Sequence, residues 1–271
     1  MFHNLRQLPR YRGLIQTLVV RELKARYRGS VLGFFWSFIN PLLLLLIYSF
    51  VFSVLLDVRD RYADPYALFM FVGILPWTWF SSSLNEASNS LIANGNLIKK
   101  VLFPAEVLPI VTVLANMVHF FLALPILAGF LIYFEFFGGG RISLHPAELV
   151  WLPAVVLVQL ILTTALALLL SALTVHFRDI RDILSNLLTF WFFATPIIYT
   201  WRTMADLGFM RYLNLNPFTH LAISYQELLF FPENAFGHWK WLLALGGASV
   251  VLFLACYWVF DRLRDSFAEV V

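Results

Sequence analysis

The chain has 271 residues, 61% of them hydrophobic and only 13% charged, with a mean hydropathy of +0.78. Soluble domains carry roughly 25% charged residues, and a core of this size cannot hide so much apolar surface from water, so a water-soluble fold is excluded and a bilayer is the expected solvent. The formal net charge of +3 decides little, because in a membrane protein the placement of charge matters more than its sum.

The first 28 residues are strongly basic, and the apolar run after them is too long for the core of a signal peptide, so no cleavable leader is expected. Within this segment Leu14, Ile15, Leu18, Val19 and Leu23 share one helical face, and Arg21, Lys24 and Arg28 occupy much of the remainder. That is the pattern of a helix lying in the cytoplasmic interface; the plainer alternative is a positive flank that only fixes topology. Residues 1–30 are thus expected to be a cytoplasmic segment with an amphipathic helix over Leu14–Arg28, and residues 31–271 a single membrane domain.

A hydrocarbon core needs about 20 apolar residues per helix. Six runs qualify: Val31–Leu56, Tyr66–Leu84, Glu106–Phe137, Leu149–Val175, Ile183–Thr200 and Trp239–Phe260. The third is too long for an upright span and is expected to tilt or extend beyond the membrane. Between the second and third lies a polar insert, residues 86–105. Between the fifth and sixth, residues 196–237 are broken by Pro196, Gly208, Pro217 and Pro232, and their apolar patches, Leu207–Leu215 and Leu228–Phe231, are too short to cross. Lipid cannot satisfy exposed backbone groups, so this stretch either lies on the outer surface or re-enters against protein. The fold class read from the chain is therefore an all-α integral membrane protein with six transmembrane helices.

Lysine and arginine set the orientation. Arg6, Arg10, Arg12, Arg21, Lys24, Arg26, Arg28, Lys99, Lys100, Arg178, Arg181, Arg262 and Arg264 collect on one side, leaving Arg59, Arg61, Arg141, Arg202, Arg211 and Lys240 on the other. The positive-inside bias places both termini in the cytoplasm.

Catalytic chemistry is hard to find. The run Gly95-Asn96-Leu97-Ile98-Lys99-Lys100 lacks the second glycine and the Ser/Thr of a phosphate-binding loop. There is no nucleophile elbow, no His-Glu-x-x-His, and no Cys/His or Asp-x-Asp spacing for a metal. Cys256, the single cysteine, reads as a small core residue. His119 lies mid-run without an acidic neighbour on its helix and reads as a partner for a nearby helix. Glu86, Glu106 and Glu135 fall near the ends of runs. The runs thus lack the ion-coupling charges of a proton- or sodium-driven carrier, and energy for any transport is expected from another subunit.

What the runs do offer is aromatic rings beside small polar groups. Steps of about 100° per residue put Gly33, Trp36, Ser37 and Asn40 on one arc of the first run, with Phe34, Phe35 and Phe38 pointing elsewhere. Asn186, Thr189, Phe190, Phe193 and Thr200 share an arc of the fifth. A wet path for sugars wants rings for C–H faces and Asn, Ser and Thr for hydroxyls; helix packing is the competing use of the same arcs. Trp77 and Trp79 read as interfacial anchors.

The run from Arg21 to Trp36, Arg-Glu-Leu-Lys-Ala-Arg-Tyr-Arg-Gly-Ser-Val-Leu-Gly-Phe-Phe-Trp, closing on Asn40-Pro41, resembles the start of the first span in type 2 ABC permeases that export O-antigen, capsule or teichoic-acid chains. Asn94–Pro109, His176-Phe177-Arg178-Asp179-Ile180, and Thr195–Tyr199 with Asn214-x-Asn216-Pro217 are similar to that family in order and spacing. The resemblance implies six spans, an amino-terminal gate helix, two outer re-entrant half-helices before the last span, a channel between two copies of the chain, and two ATPase subunits that bind ATP and Mg on the cytoplasmic face. It implies export of an undecaprenyl-pyrophosphate-linked glycan across the inner membrane, with no cofactor in this chain and no nucleic acid among its partners. The alternatives are an ABC permease for a drug or another lipid, and a membrane-embedded transferase acting on a lipid-linked sugar. On this reading Trp36, Ser37, Asn40, Phe190 and Phe193 are the candidate substrate path. Lys24, Arg26, Tyr27 and Arg28, at headgroup depth, are candidates for the lipid pyrophosphate. Asn94, Asn96, Leu97, Ile98, Lys99 and Lys100 are candidates for ATPase docking.

Overall fold

The computed structural model describes residues 8–55, 62–99, 103–137, 147–231 and 236–270. Arg6, Arg59, Arg61, Lys100, Arg141 and Pro232, used above for topology and docking, lie outside them. Among the described residues all regular structure is helical: α1 (Arg12–Arg26), α2 (Trp36–Tyr48, running on into a π-helical stretch Ser49–Leu55), α3 (Tyr66–Ala93), α4 (Gly95–Ile98), α5 (Val107–Phe137), α6 (Leu152–His176), α7 (Ile180–Phe193), α8 (Trp201–Asp206), α9 (Met210–Leu213), α10 (Pro217–Leu229) and α11 (Trp239–Val270).

Five stretches are long and apolar enough to cross a membrane: Gly33–Phe52, Tyr66–Ala93, Val107–Phe137, Glu148–His176 and Trp239–Phe267. They correspond to five of the six apolar runs. The remaining run, Ile183–Thr200, is helical only through the 14 residues of α7, about 21 Å at 1.5 Å per residue. The helix tightens at its end, where Ala194 N donates to Phe190 O at 3.0 Å and Thr195 N to Phe192 O at 3.1 Å. Pro196, with no N–H and a ring that disfavours helix before it, stops it there.

Helix α3 is the centre of the bundle, packed against α5, α6, α7 and α10. Trp77 and Trp79, read above as interfacial anchors, are 7% and 2% exposed and belong to this core instead. Trp79 stacks on Phe120 at 5.3 Å and donates Nε1–H to Val113 O at 3.2 Å. Trp77 meets Phe218 edge-on at 4.9 Å. Both indoles find apolar cover and Trp79 finds a buried acceptor, which removes the reason for either to seek the interface. Gly73 lets the chain after α7 approach closely, since a Cβ there would lie 3.2 Å from Ile197 Cγ2.

The broken stretch after α7 folds back onto the bundle. Nearly all of α10 is buried, from Phe218 to Leu229. Its N-cap, Asn216, accepts from Phe218 N at 3.0 Å and from Trp191 Nε1 at 2.7 Å, and donates Nδ2–H to Ala194 O at 3.1 Å and Thr195 Oγ1 at 2.9 Å. Gln226 donates Nε2–H to Pro196 O at 2.6 Å. One side chain thus both caps α10 and ties it to the end of α7.

At the opposite end of the bundle, Leu91, Leu168, Tyr257, Phe260 and Phe267 form a second core, against which Leu97 and Ile98 of the α4 insert pack. His176 meets Ser266 Oγ at 3.0 Å, which fixes the last turns of α11 to the end of α6. Cys256 is buried, as a small core residue.

Candidate functional site

Helix α1 lies across the start of α5: Leu18 packs with Val107 and Val111, flanked by Tyr11, Leu14, Ile15 and Val19. Its final residue, Arg26, reaches into the bundle. Arg26 Nη1 donates to Asn116 Oδ1 at 3.0 Å, and Nη2 forms a short charge-assisted bond to Glu86 Oε2. Asn116 Nδ2 donates to the same carboxylate oxygen at 2.8 Å and to Thr112 O at 3.1 Å. Glu22 stands 3.9 Å from Arg26 Nε. Arg26, Glu86 and Asn116 therefore close a ring of hydrogen bonds joining α1, α3 and α5.

The next residue continues the seam. Tyr27 OH lies 2.5 Å from Ser37 Oγ and 3.2 Å from His119 Nδ1, and its ring packs edge-on to His119 and Phe34. The chain turns from α1 into α2 through Gly29 and Gly33, whose φ values of 82° and 49° are left-handed and cost little only for glycine. Ser30 Oγ braces this turn by accepting from Gly33 N at 3.3 Å and Trp36 Nε1 at 3.1 Å.

Beneath the seam lies a cavity of about 430 Å³. Its polar lining is Arg26, Tyr27, Ser37, Asn40, Thr78, Ser82, Glu86, Asn116 and His119, and its apolar lining includes Leu44, Leu75, Trp79, Phe120 and Ala123. Trp36 stands on its wall. Two further grooves meet it at Glu86: one of about 470 Å³ past Glu22, Asn89, Asn94 and Thr112, and one of about 540 Å³ past Asn85, Asn89, Arg181 and Asp182. Such a site suits a ligand with a polar head and an apolar stem.

The structure brings Arg26, Tyr27, Trp36, Ser37 and Asn40 together on this wall, joining two groups that the sequence reading kept separate. It does not bring Phe190 and Phe193 to it: they are 72% and 58% exposed on α7. Lys24 and Arg28 are exposed and do not line the cavity. In the insert, Asn94 Nδ2 donates to Ser90 O at 2.9 Å, closing the end of α3. Asn96 and Lys99 are exposed, and Leu97 and Ile98 are packed inward.

Glu86 and Asn116 were missed as site residues. The available signal was chemical: both put a strongly hydrogen-bonding side chain within or beside an apolar run, where polar groups need partners. Arg26, read as a free cation for phosphate, already carries a carboxylate partner. His119 does bond a neighbouring element, through Tyr27.

A helical bundle with five stretches long and apolar enough to cross a membrane, and a cavity of mixed polarity under α1, fits a multi-pass membrane transport component. The chain belongs to the ABC-2 type transporter family, which it matches over residues 13–230; it is a transporter permease, not an enzyme. It is similar to proteins named O-antigen export system permease protein RfbA. The protein of that name from Myxococcus xanthus is 42% identical over 271 residues, covering 99% of each chain. One from Klebsiella pneumoniae is 31% identical over 261 residues, and a second from the same organism 30% over 260, each covering 95% of both chains.

Proposed function

We propose that this chain is the membrane subunit of an ATP-driven exporter that moves an undecaprenyl-pyrophosphate-linked polysaccharide, such as an O-antigen, across the cytoplasmic membrane. The family match and the names of its full-length relatives support this reading. The observation that carries it at the level of residues is the cavity beneath α1. It combines apolar lining for a polyprenyl stem with Trp36, Ser37 and Asn40 for sugar. Lys24 and Arg28 add exposed positive charge on either side of Arg26 in the chain.

Two copies of the chain form the channel, with Phe190 and Phe193 on the outward face of α7 available to line it. Exposed Asp182, Ser185, Asn186 and Thr189 share α7 with those rings, a mixture poorly suited to lipid and well suited to a wet path. Six spans result where α7 together with residues 194–200 makes the fifth crossing, with α8 to α10 as the outer re-entrant part. Both termini then face the cytoplasm of an inner-membrane protein. ATP and Mg are bound by two ATPase subunits, which dock on Asn94–Lys100 and the amino-terminal segment.

The test is export by the permease–ATPase complex reconstituted in proteoliposomes. Trp36→Ala or Asn40→Ala is expected to lower glycan export at least fivefold (roughly 1 kcal/mol) with assembly unchanged. Lys99→Glu with Asn96→Asp, on exposed positions that leave the packed Ile98 alone, is expected to uncouple ATP hydrolysis from export. Export and protein abundance falling together in the Trp36 and Asn40 variants would assign those residues to packing and sink the path.

A further inference from the structure

Arg26 is occupied. Its terminal nitrogens are taken by Glu86 and Asn116, and its Nε faces Glu22 at 3.9 Å, beyond hydrogen-bond reach. Apart from the imidazole of His119, Arg26 and Glu86 are the only residues of formal charge lining the cavity among the described residues. While paired, they cancel. A phosphate arriving there meets no net positive charge, and beside the intact pair it sets like charges against each other. A guanidinium grips phosphate through two parallel N–H bonds; with Nη1 on Asn116, the edge left for this is Nε and Nη2, and Glu86 blocks it by holding Nη2.

The two partners of Arg26 are not equally fixed. Asn116 is buried and anchored to Thr112 O at 3.1 Å. The Glu86 side chain is 42% exposed, against 22% for Arg26. Glu86 also stands at the junction of three cavities, and the groove of about 540 Å³ offers its carboxylate the side chains of Asn85, Asn89, Ser185 and Arg181, with Asp182 as the one opposing carboxylate in its lining. The ligand gains more than Arg26. His119 lines the same cavity, and its Nε2 is buried with no hydrogen-bond partner, a further polar group for a phosphate oxygen.

We propose, resting on the headgroup reading above, that Glu86 is an internal stand-in for the substrate's phosphate. The pyrophosphate of the lipid carrier displaces the Glu86 carboxylate from Arg26, and Glu86 swings into the groove toward Arg181 at the start of α7. The free site stays neutral and the hydrogen-bonded seam stays closed until a competing anion arrives. Arrival is thereby communicated from α1 to α7. Glu86 sets selectivity as well: an anion that grips the guanidinium weakly does not remove it.

The experiment uses the intact permease–ATPase complex in phosphatidylcholine nanodiscs, with undecaprenyl pyrophosphate as the probe and binding read by native mass spectrometry. Glu86→Gln keeps the shape and an acceptor for Asn116 but removes the competing charge, and it is expected to tighten binding at least fivefold. Glu86→Asp keeps the charge, and so the assembly, but shortens the reach; it is expected to tighten binding about twofold. Arg26→Gln is expected to weaken binding at least fivefold, and adding Glu86→Gln to it to restore nothing. Unchanged or weaker binding in both Glu86 variants, with Arg26→Gln still weakened, overturns the displacement and leaves the headgroup reading intact. No effect of Arg26→Gln removes both. An equal gain for phosphatidylglycerol in the Glu86 variants overturns the assignment to the carrier pyrophosphate in favour of bilayer phosphate.

Discussion

Asn216 ties α10 to the end of α7, and removing it has a magnitude that follows from its four bonds. Asn216→Ala deletes the cap on Phe218 N, worth about 1 kcal/mol. It also strands Trp191 Nε1 and the Ala194 carbonyl, at roughly 1–3 kcal/mol for each group left unsatisfied in a partly buried setting. Thr195 Oγ1 suffers least, because its own hydroxyl still donates to Trp191 O at 2.8 Å. The total is about 3–7 kcal/mol, toward the lower figure because Trp191 and Ala194 are half-buried, a fall in apparent Tm on the order of 10 °C for a chain of this length. Asn216→Asp keeps both acceptor bonds and adds a negative charge at a helix N-terminus, worth about 0.3–1 kcal/mol. It turns an acceptor toward the Ala194 carbonyl, however. About half the loss of the alanine variant is expected. Scanning fluorimetry of the purified protein at one scan rate orders the three. An alanine variant within about 2 °C of wild type, or an aspartate variant as unstable as the alanine one, would refute the account of Asn216 as a shared tie.

The close approach at Gly73 supplies a second test. Gly73→Ala places a methyl 3.2 Å from Ile197 Cγ2, which is expected to cost about 1–2 kcal/mol by overpacking, and Ile197→Ala, which removes that Cγ2, is expected to make the loss of the double variant smaller than the sum of the two single losses. Additive losses in the double variant would show that the two do not touch. A third concerns pH. His238 stacks with His220 and Trp241, lies 3.0 Å from His220 Nδ1, and donates its backbone N–H to Glu227 Oε2 at 3.0 Å. Burial, and then the neighbouring His220, pull its pKa down from 6.5 to about 4. The unfolded chain therefore binds a proton that the folded one refuses. This contribution is whole above about pH 6.5 and is lost progressively as pH falls toward about 4. Apparent Tm followed from pH 7.5 to 4.5 is expected to fall less steeply for His238→Gln than for wild type; identical slopes would remove the histidine pair from the account.

The crossing helices were legible because apolar runs near the length of the hydrocarbon core have few other uses. Their limits were less so. The second run was read as ending at Leu84, yet α3 continues to Ala93. The polar residues Asn85, Glu86, Ser88 and Asn89 end the hydropathy without ending the helix, since Ser88 and Ser90 bond back to carbonyls of their own turn. The tryptophans misled for a related reason. An interfacial anchor and a core indole with a carbonyl partner look the same in sequence, and the acceptor that decides for Trp79, Val113 O, lies 34 residues away.

The site divides along the same line. Arg26, Tyr27, Trp36, Ser37 and Asn40 were found because they lie close together in the chain, and one helix, one turn and the start of another present them together. Their partners were not found, because Glu86 and Asn116 are 60 and 90 residues from Arg26. No local pattern couples them to it. Only the packing of α1 on α5, and of α5 on α3, does. A cation read from sequence as free for a ligand should for this reason be treated as already paired when it enters an apolar bundle, where an unpaired charge is expensive. The useful question is then which partner gives way. Here the geometry discriminates: the buried, anchored amide of Asn116 is held in place, and the half-exposed carboxylate of Glu86, with a polar groove beside it, is the partner placed to give way to a stronger anion.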